Sequence, residues 1–214
     1  MIVAVDGPTA SGKGTIARAL AAHFALPHLD TGLLYRAVGR QCAVQGGNPD
    51  DPADALAACA FPDSLLADPE LRSEATGGLA SQVSVHPGVR QALYERQRAF
   101  ALQEGGAVLD GRDIGTVIAP EAEVKLFVVA SVPARAERRF REMQAAGRAV
   151  SLSEIAADLE ARDRRDRTRA EAPLVAASDA VLLDTSDLPR EAAIAAAIEI
   201  ARTKAAALPE NRSA

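Results

Sequence analysis

Short runs in which almost every residue is apolar alternate along this chain with longer stretches whose apolar residues recur every three or four positions. The first pattern marks strands buried on both faces and the second marks amphipathic helices. Strands are predicted at Ile2-Val3-Ala4-Val5-Asp6, at Ala107-Val108-Leu109 running into Asp110-Gly111, over residues 124–130, and at Ala180-Val181-Leu182-Leu183-Asp184. The run 124–130 is apolar apart from Lys125, which suits a central parallel strand covered by helices. His28-Leu29-Asp30 is long enough only for the end of a further strand.

Between these runs, Ile16, Ala19, Leu20 and Phe24 predict a helix starting near Lys13 and ending near Ala25, where Leu26-Pro27 breaks it. Residues 33–45 form the next helix, with Thr31 or Asp30 available as its cap, and the turn cluster 46–52 marks the edge of a lobe. The stretch 54–80 is the least readable: a short Ala-rich helix, then Pro-containing turns in which no strand can be assigned. Helical spacing returns with Leu71, Ala75, Leu79 and Val83, breaks at His86-Pro87-Gly88, and resumes from Val89 toward Leu102 with Val89, Leu93 and Phe100 facing inward. A helix runs from Pro133 through Met143 and stops at Gly147. Another is opened by the capping-box spacing of Ser151 and Glu154 and reaches about Arg169. The last extends from about Pro189 to Leu208, and the tail from Pro209 is expected to fray. Strand–helix alternation of this kind predicts an α/β fold, a parallel sheet with helices on both faces. A length of 214 residues suits a single domain, 1–214, carrying smaller lobes.

The net charge of −5 argues against a general nucleic-acid or membrane-surface binder, so any anion site must be local. Every basic residue except Lys13, Lys125 and Lys204 is Arg, a bias that says little at most surface positions but makes Lys13 stand out. Cys42 and Cys59 form no C-x-x-C pair and His23, His28 and His86 are scattered, so neither a structural metal nor a disulfide scaffold is expected. There is no long apolar span or basic leader, and the chain is expected to be cytoplasmic, with reduced thiols.

Directly behind the first strand lies Gly7-Pro8-Thr9-Ala10-Ser11-Gly12-Lys13-Gly14-Thr15, with the G-x-x-x-x-G-K spacing of a phosphate loop. An ordinary tight turn explains a glycine pair, but here a strand, a lysine and a helix agree. Backbone N–H groups and the helix dipole would face a polyphosphate, Lys13 would reach its outer phosphates, and Thr15 would place a hydroxyl at or near a nucleotide-bound Mg²⁺. Other strand ends are polar as well: Asp30-Thr31-Gly32, Asp110-Gly111-Arg112-Asp113 and Asp184-Thr185. In a parallel sheet they share one rim with Lys13, although Asp184 and Thr185 read better as turn or cap residues. On the helix ending near Arg169, Arg162, Asp166 and Arg169 share a face with Arg165 beside it. That face can grip a sugar and a phosphate, or be a solvated surface laced with ion pairs.

The phosphate loop followed by Thr31-Gly32-Leu33-Leu34-Tyr35-Arg36 resembles nucleoside monophosphate kinases. Gly14 is part of that likeness, since G-K-G-T is the form those kinases carry. Ala80-Ser81-Gln82-Val83 with Val89-Arg90, Asp110-Gly111-Arg112-Asp113-Ile114-Gly115-Thr116, and the Arg- and Asp-rich run from Arg162 to Arg169 ahead of Ala172-Pro173-Leu174 resemble bacterial cytidylate kinases over nearly the whole chain. The resemblance implies Mg²⁺-dependent transfer of the γ-phosphoryl group of ATP to CMP or dCMP by a monomer that binds small-molecule nucleotides. It implies an ATP site at residues 7–15 and a CMP site of Thr31, Arg36, Ser81, Arg90, Arg112, Asp113, Arg162, Asp166 and Arg169. Within the latter, Ser81, Arg90 and Asp113 would read the cytosine edge, Arg36, Arg112 and Arg169 would hold the acceptor phosphate, and Arg162 and Asp166 the ribose. Lys13, Arg112, Arg162 and Arg169 would be the catalytic set. An acceptor-binding lobe over about 31–105, reduced because no strand pair can be found in it, and a short helical lid over about 135–170 complete the implied P-loop kinase architecture. Of the lid arginines Arg135, Arg138, Arg139 and Arg141, most are expected to be solvated or paired with Glu137 and Glu142. Rival readings are a kinase for UMP, AMP or a non-nucleotide acceptor, a nucleotide-responsive binding protein, and an RNA binder using 162–169; the acidic total and scarcity of aromatics oppose the last.

Overall fold

The structure is a computed structural model and describes residues 1–207. The helix end expected at Leu208 and the tail from Pro209 lie outside the described residues.

Strands β1 (Ile2–Asp6), β2 (His28–Asp30), β3 (Ala107–Gly111), β4 (Val124–Val129) and β5 (Val181–Asp184) form one parallel sheet in the order β2-β3-β1-β4-β5. Alternation along β1 explains why both faces are covered. Val3 and Val5 point into a cluster with Ile16, Leu20, Leu126, Val128 and Ala197, supplied by helices α1 (Lys13–Phe24) and α8 (Arg190–Ala206). Ile2 and Ala4 point the other way, to Ala101, Leu109, Ile114 and Ile118. β4 lies inside the sheet between β1 and β5, as its apolar run predicts. Its Lys125 is buried and reaches across to Asp179 at 2.8 Å and to the Pro120 carbonyl.

Helix α2 (Thr31–Val44) follows β2 without a loop, and α3 (Pro52–Ala57), α4 (Glu74–Val83) and α5 (Pro87–Ala101) pack with it around Leu34, Val38, Leu71, Val83, Val89 and Leu93. None of residues 46–105 is in a strand; within the unreadable stretch 54–80, two short 3-10 turns, Asp63–Ala67 and Pro69–Arg72, lie between α3 and α4. Several local expectations are corrected here. α2 begins at Thr31 rather than near Leu33, and neither Asp30 nor Thr31 caps it: Asp30 makes no cap bond, and the Thr31 hydroxyl donates to the Asp110 carbonyl at 2.8 Å. Leu71 lies before α4 in a 3-10 turn and Ala75 is exposed, because the buried face of α4 carries Thr76, Gly77, Ser81 and Val83 instead. Pro87 and Gly88 start α5 rather than interrupt the chain, as proline in a first helical turn allows.

Helices α6 (Val132–Ala145) and α7 (Leu152–Thr168) form a hairpin with its own small core of Ala136, Met143, Ile155 and Leu159. Gly147, at φ +71°, ends the first helix, and the Ser151/Glu154 capping box opens the second. Arg135 departs from expectation. Rather than being solvated or paired with Glu137 or Glu142, it is 2% exposed, forks onto Asp163 at 2.5 and 3.0 Å, and donates to the Thr9 and Ala130 carbonyls. A guanidinium that deep needs a carboxylate and full hydrogen bonding to compensate lost water. The pair thereby ties the α6–α7 hairpin to the phosphate loop.

Candidate active site: a phosphate loop facing an arginine-lined pocket

The parallel register sets Asp6 beside Gly111 and both Val5 and Asp30 beside Asp110, so the polar strand ends do share one rim. From that rim the loop 7–12 turns into α1. Gly7 lies so close to β4 that a Cβ there would meet the Val128 carbonyl oxygen at 2.1 Å. Ala10 (φ +61°) and Gly12 (φ +90°) take left-handed backbone, and no side chain caps α1. Thr9–Thr15 line one cavity, together with Arg138, Arg139, Leu188, Pro189, Arg190, Ala193 and Ile194; Gly7 and Pro8 support the loop from behind. The loop is braced on several sides: Lys13 Nζ donates to the Pro8 carbonyl at 3.2 Å, Arg112 Nη2 to Thr9 Oγ1 at 2.6 Å, and the buried Thr185 hydroxyl to the Ser11 carbonyl at 3.0 Å. Thr185, which reads as a turn residue, is therefore part of the loop's scaffold, whereas Asp184 is the turn acceptor its local reading predicts, taking the Ser186 N–H.

A second cavity opens beside the first. Every residue of the expected acceptor set, Thr31, Arg36, Ser81, Arg90, Arg112, Asp113, Arg162, Asp166 and Arg169, lies on its wall, drawn from α2, α4, α5, the end of β3 and α7. Arg36, Arg112 and Arg162 line both cavities. Gly77 makes room for two of these: a Cβ there would lie 2.7 Å from Arg162 and 3.0 Å from Arg36. Arg90 is ion-paired with Asp113, and Arg169 Nη2 stands 4.0 Å from the other Asp113 oxygen. Arg112 Nε donates to Asp166 at 2.7 Å, and Arg165 Nη1 to the Ser81 hydroxyl at 2.6 Å. Arg162 Nε and Arg169 Nη2 are buried donors without a hydrogen-bond acceptor among the described residues. Such donors are costly unless something arrives to accept from them.

Charges at this junction shift in ways that follow from crowding. Burial, with help from Arg112, pushes the Lys13 ammonium down to about 8, against the pull of Asp110, Asp30 and Asp166. Burial, and then Arg162, lowers Arg36 to about 10. Burial alone would raise Asp166, but Arg112, Arg169 and Arg162 outweigh it and hold the carboxyl below its ordinary range. The site thus holds excess positive charge that a polyanion would relieve. With ATP below saturation, kcat/KM should therefore fall as pH rises through about 8, because the Lys13 cation is lost. A flat profile from pH 7 to 9 would contradict this.

The family model described as cytidylate kinase matches residues 3–203. This chain belongs to the cytidylate kinase family. Curated members of the family include the cytidylate kinase of Caulobacter sp. (strain K31), 55% identical over 94% of each chain. That of Cereibacter sphaeroides (strain ATCC 17023) is 58% identical over 92% of this chain and 93% of its own. A crystal structure of an uncharacterized protein from Eubacterium ventriosum ATCC 27560 superposes with TM-score 0.54, covering 96% of this chain and 98% of that one at 16% identity, and shares the fold.

Within this family member, several residues at the site carry no motif. Tyr35 lies on the wall of the second cavity with the Arg90 guanidinium 5.6 Å from its ring centre; only its place inside the T-G-L-L-Y-R block hints at it. Glu74, at the start of α4, bridges Arg162 (2.5 Å) and Arg139 (2.7 Å) from the hairpin, a contact between segments 65 and 88 residues apart that no local pattern encodes. The cavity wall at Leu188–Ile194 belongs to a stretch that reads only as a helix start. No helix among the described residues is long and apolar enough to cross a membrane.

Proposed function

We propose that this protein transfers the γ-phosphoryl group of ATP to the 5′-phosphate of CMP or dCMP, forming ADP and CDP or dCDP. One observation carries the reading: the phosphate-loop cavity and the acceptor cavity meet at Arg36, Arg112 and Arg162. An acceptor phosphate oxygen brought to that junction attacks the γ-phosphorus in line, and the bond to the β-phosphate oxygen breaks. Since the acceptor is already an anion, no side-chain base is needed; what the site supplies is alignment and neutralised charge.

In this reading residues 7–15 bind ATP, with Lys13 on its outer phosphates and the nucleoside end running toward Leu188–Ile194. Arg36, Arg112 and Arg169 hold the acceptor phosphate, and Arg162 and Asp166 the ribose. Ser81, Arg90 and Asp113 read the cytosine edge, where a buried carboxylate and guanidinium left unpaired would reject uracil or adenine. The lobe 31–105 and the lid 135–170 fold over the substrates and exclude water. The protein works in the cytoplasm as a monomer.

Mg²⁺ would arrive with ATP. The protein donors facing the loop are oxygens, the Thr15 hydroxyl and the Asp110 carboxylate, whose Oδ2 lies 3.5 Å from where a Cβ on Gly14 would be. Among the described residues no cluster of three or more His, Cys, Asp or Glu could hold a metal by itself. Such a sparse oxygen set fits Mg²⁺, which keeps waters and phosphates as its main ligands. When bound it neutralises charge on the β and γ oxygens.

Initial rates with CMP, dCMP, UMP and AMP test the proposal. CMP or dCMP should exceed UMP and AMP by about 100-fold or more in kcat/KM. A preference for UMP or AMP would overturn the acceptor assignment, and ATP binding without acceptor-dependent ADP release would leave a nucleotide-binding protein only.

A further inference from the structure

Asp6 is the one acidic residue in β1, it is 5% exposed, and among the described residues it takes part in no ion pair. Its two carboxylate oxygens instead accept one backbone hydrogen bond each, from Ile114 N–H and Gly115 N–H, both at 2.8 Å. These amides follow Asp113 directly and open a wide turn. That turn closes through Ile118 N–H to the Asp113 carbonyl at 3.2 Å and Ala119 N–H to the Ile114 carbonyl at 2.7 Å. The first N–H groups of such a turn have no acceptor within it. Asp6 supplies both from a neighbouring strand.

The consequence lies in what else holds each segment. Asp6 itself is fixed by its backbone, paired in register with Gly111 on one side and Phe127 on the other, and Gly7 is wedged against β4. Beyond Gly111, by contrast, the chain carrying Arg112 and Asp113 has left the sheet, and Asp113 adopts φ −145°, ψ 24°. We infer that Asp6 is a positioning residue for base recognition: its carboxylate anchors the 112–115 loop so that Asp113 faces Arg90 and the acceptor cavity. The phosphate loop has braces of its own, Arg112 on the Thr9 hydroxyl, Arg135 on the Thr9 carbonyl and Thr185 on the Ser11 carbonyl. This inference rests on the proposed role of Asp113 in reading the base.

Asp6→Asn keeps the shape but turns one acceptor into an NH₂ group facing a backbone N–H. Expected are a fall in kcat/KM for CMP and a collapse of the CMP-over-UMP preference, each by about 10-fold or more, with KM for ATP within about 2-fold of the unaltered protein. Should Asp6→Asn not fold, Asp6→Glu, which retains the charge but shifts the carboxylate by one methylene, should show the same split. A folded variant with the original CMP-over-UMP ratio, whatever its melting temperature, overturns the inference. If the unaltered protein itself shows no preference for CMP, the base-reading assignment fails first, and the measurement on the unaltered protein reveals this independently.

Discussion

Lys13→Ala is expected to lower kcat by on the order of 10³ while leaving the melting temperature unchanged within about 2 °C. The first half follows from position. Lys13 begins α1 and lines the phosphate cavity within the field of Asp30 and Asp110, where a cation can follow charge onto the phosphoryl oxygens. A group acting on transition-state charge in a desolvated site accounts for losses of this size, equivalent to about 4 kcal/mol. The second half follows from its partners. Among the described residues Lys13 has no carboxylate within ion-pair distance and one hydrogen bond, to the Pro8 carbonyl, and Arg112 pushes its charge down. Lys13 stands between opposing fields, Arg112 disfavouring its charge and Asp110, Asp30 and Asp166 favouring it, so removing it breaks no direct ion pair and the effects on stability offset. Circular dichroism melts beside steady-state rates would check both halves, and near-normal turnover would contradict the assignment.

Asp113→Asn should show the opposite thermal signature. Asp113 is the anion between Arg90, which it pairs, and Arg169, 4.0 Å away. Without its charge two buried guanidinium groups face each other, and breaking such a buried pair outright costs about 3–5 kcal/mol; the amide oxygen of Asn recovers part of this. Melting temperature should therefore fall by several degrees. On the functional side, in the proposed reading the carboxylate that would accept from an exocyclic amine becomes an amide able to donate. Relative kcat/KM for UMP against CMP should then rise by about 10-fold or more, with KM for ATP little changed. A variant with a lowered melting temperature and an unaltered base preference would leave Asp113 a structural residue only.

The hairpin adds a consequence for these two substitutions. Arg135 and Asp163 tie it to Thr9, while Arg162 and Arg165 reach Glu74 and Ser81 on α4. The hairpin thus touches both cavities. Defects at Lys13 and Asp113 nevertheless lie on separate walls, so their effects on kcat and on base preference should combine additively in the double variant.

How much of this was legible in the chain varies by element. β1, β3 and β4 declare themselves because strands buried on both faces need near-continuous apolar runs. The phosphate loop declares itself because its glycines answer local backbone demands, as at Gly12 with φ +90°. The proposed acceptor residues, spread from Thr31 to Arg169, are recognisable only through the family's motifs; periodicity leaves Arg162, Asp166 and Arg169 equally open to a solvated helix face. Local rules failed where a longer-range partner outbid them. Thr31 forgoes capping α2 for the Asp110 carbonyl, and Arg135 forgoes solvent for Asp163 and the phosphate loop.

The sequence by itself determined the alternation of strands and helices, the phosphate loop and, by its motifs, the family. It did so because strand burial, turn geometry and loop chemistry are set by neighbours along the chain. Only the tertiary structure decided that Asp6 anchors the loop after β3, that Thr185 braces Ser11, that Glu74 bridges Arg139 and Arg162, and that Arg36, Arg112 and Arg162 stand where two cavities meet. These are contacts between residues tens of positions apart, made by side chains whose partners are chosen by the register of a parallel sheet and the docking of a helical hairpin, and no local pattern of apolar and polar residues carries that information.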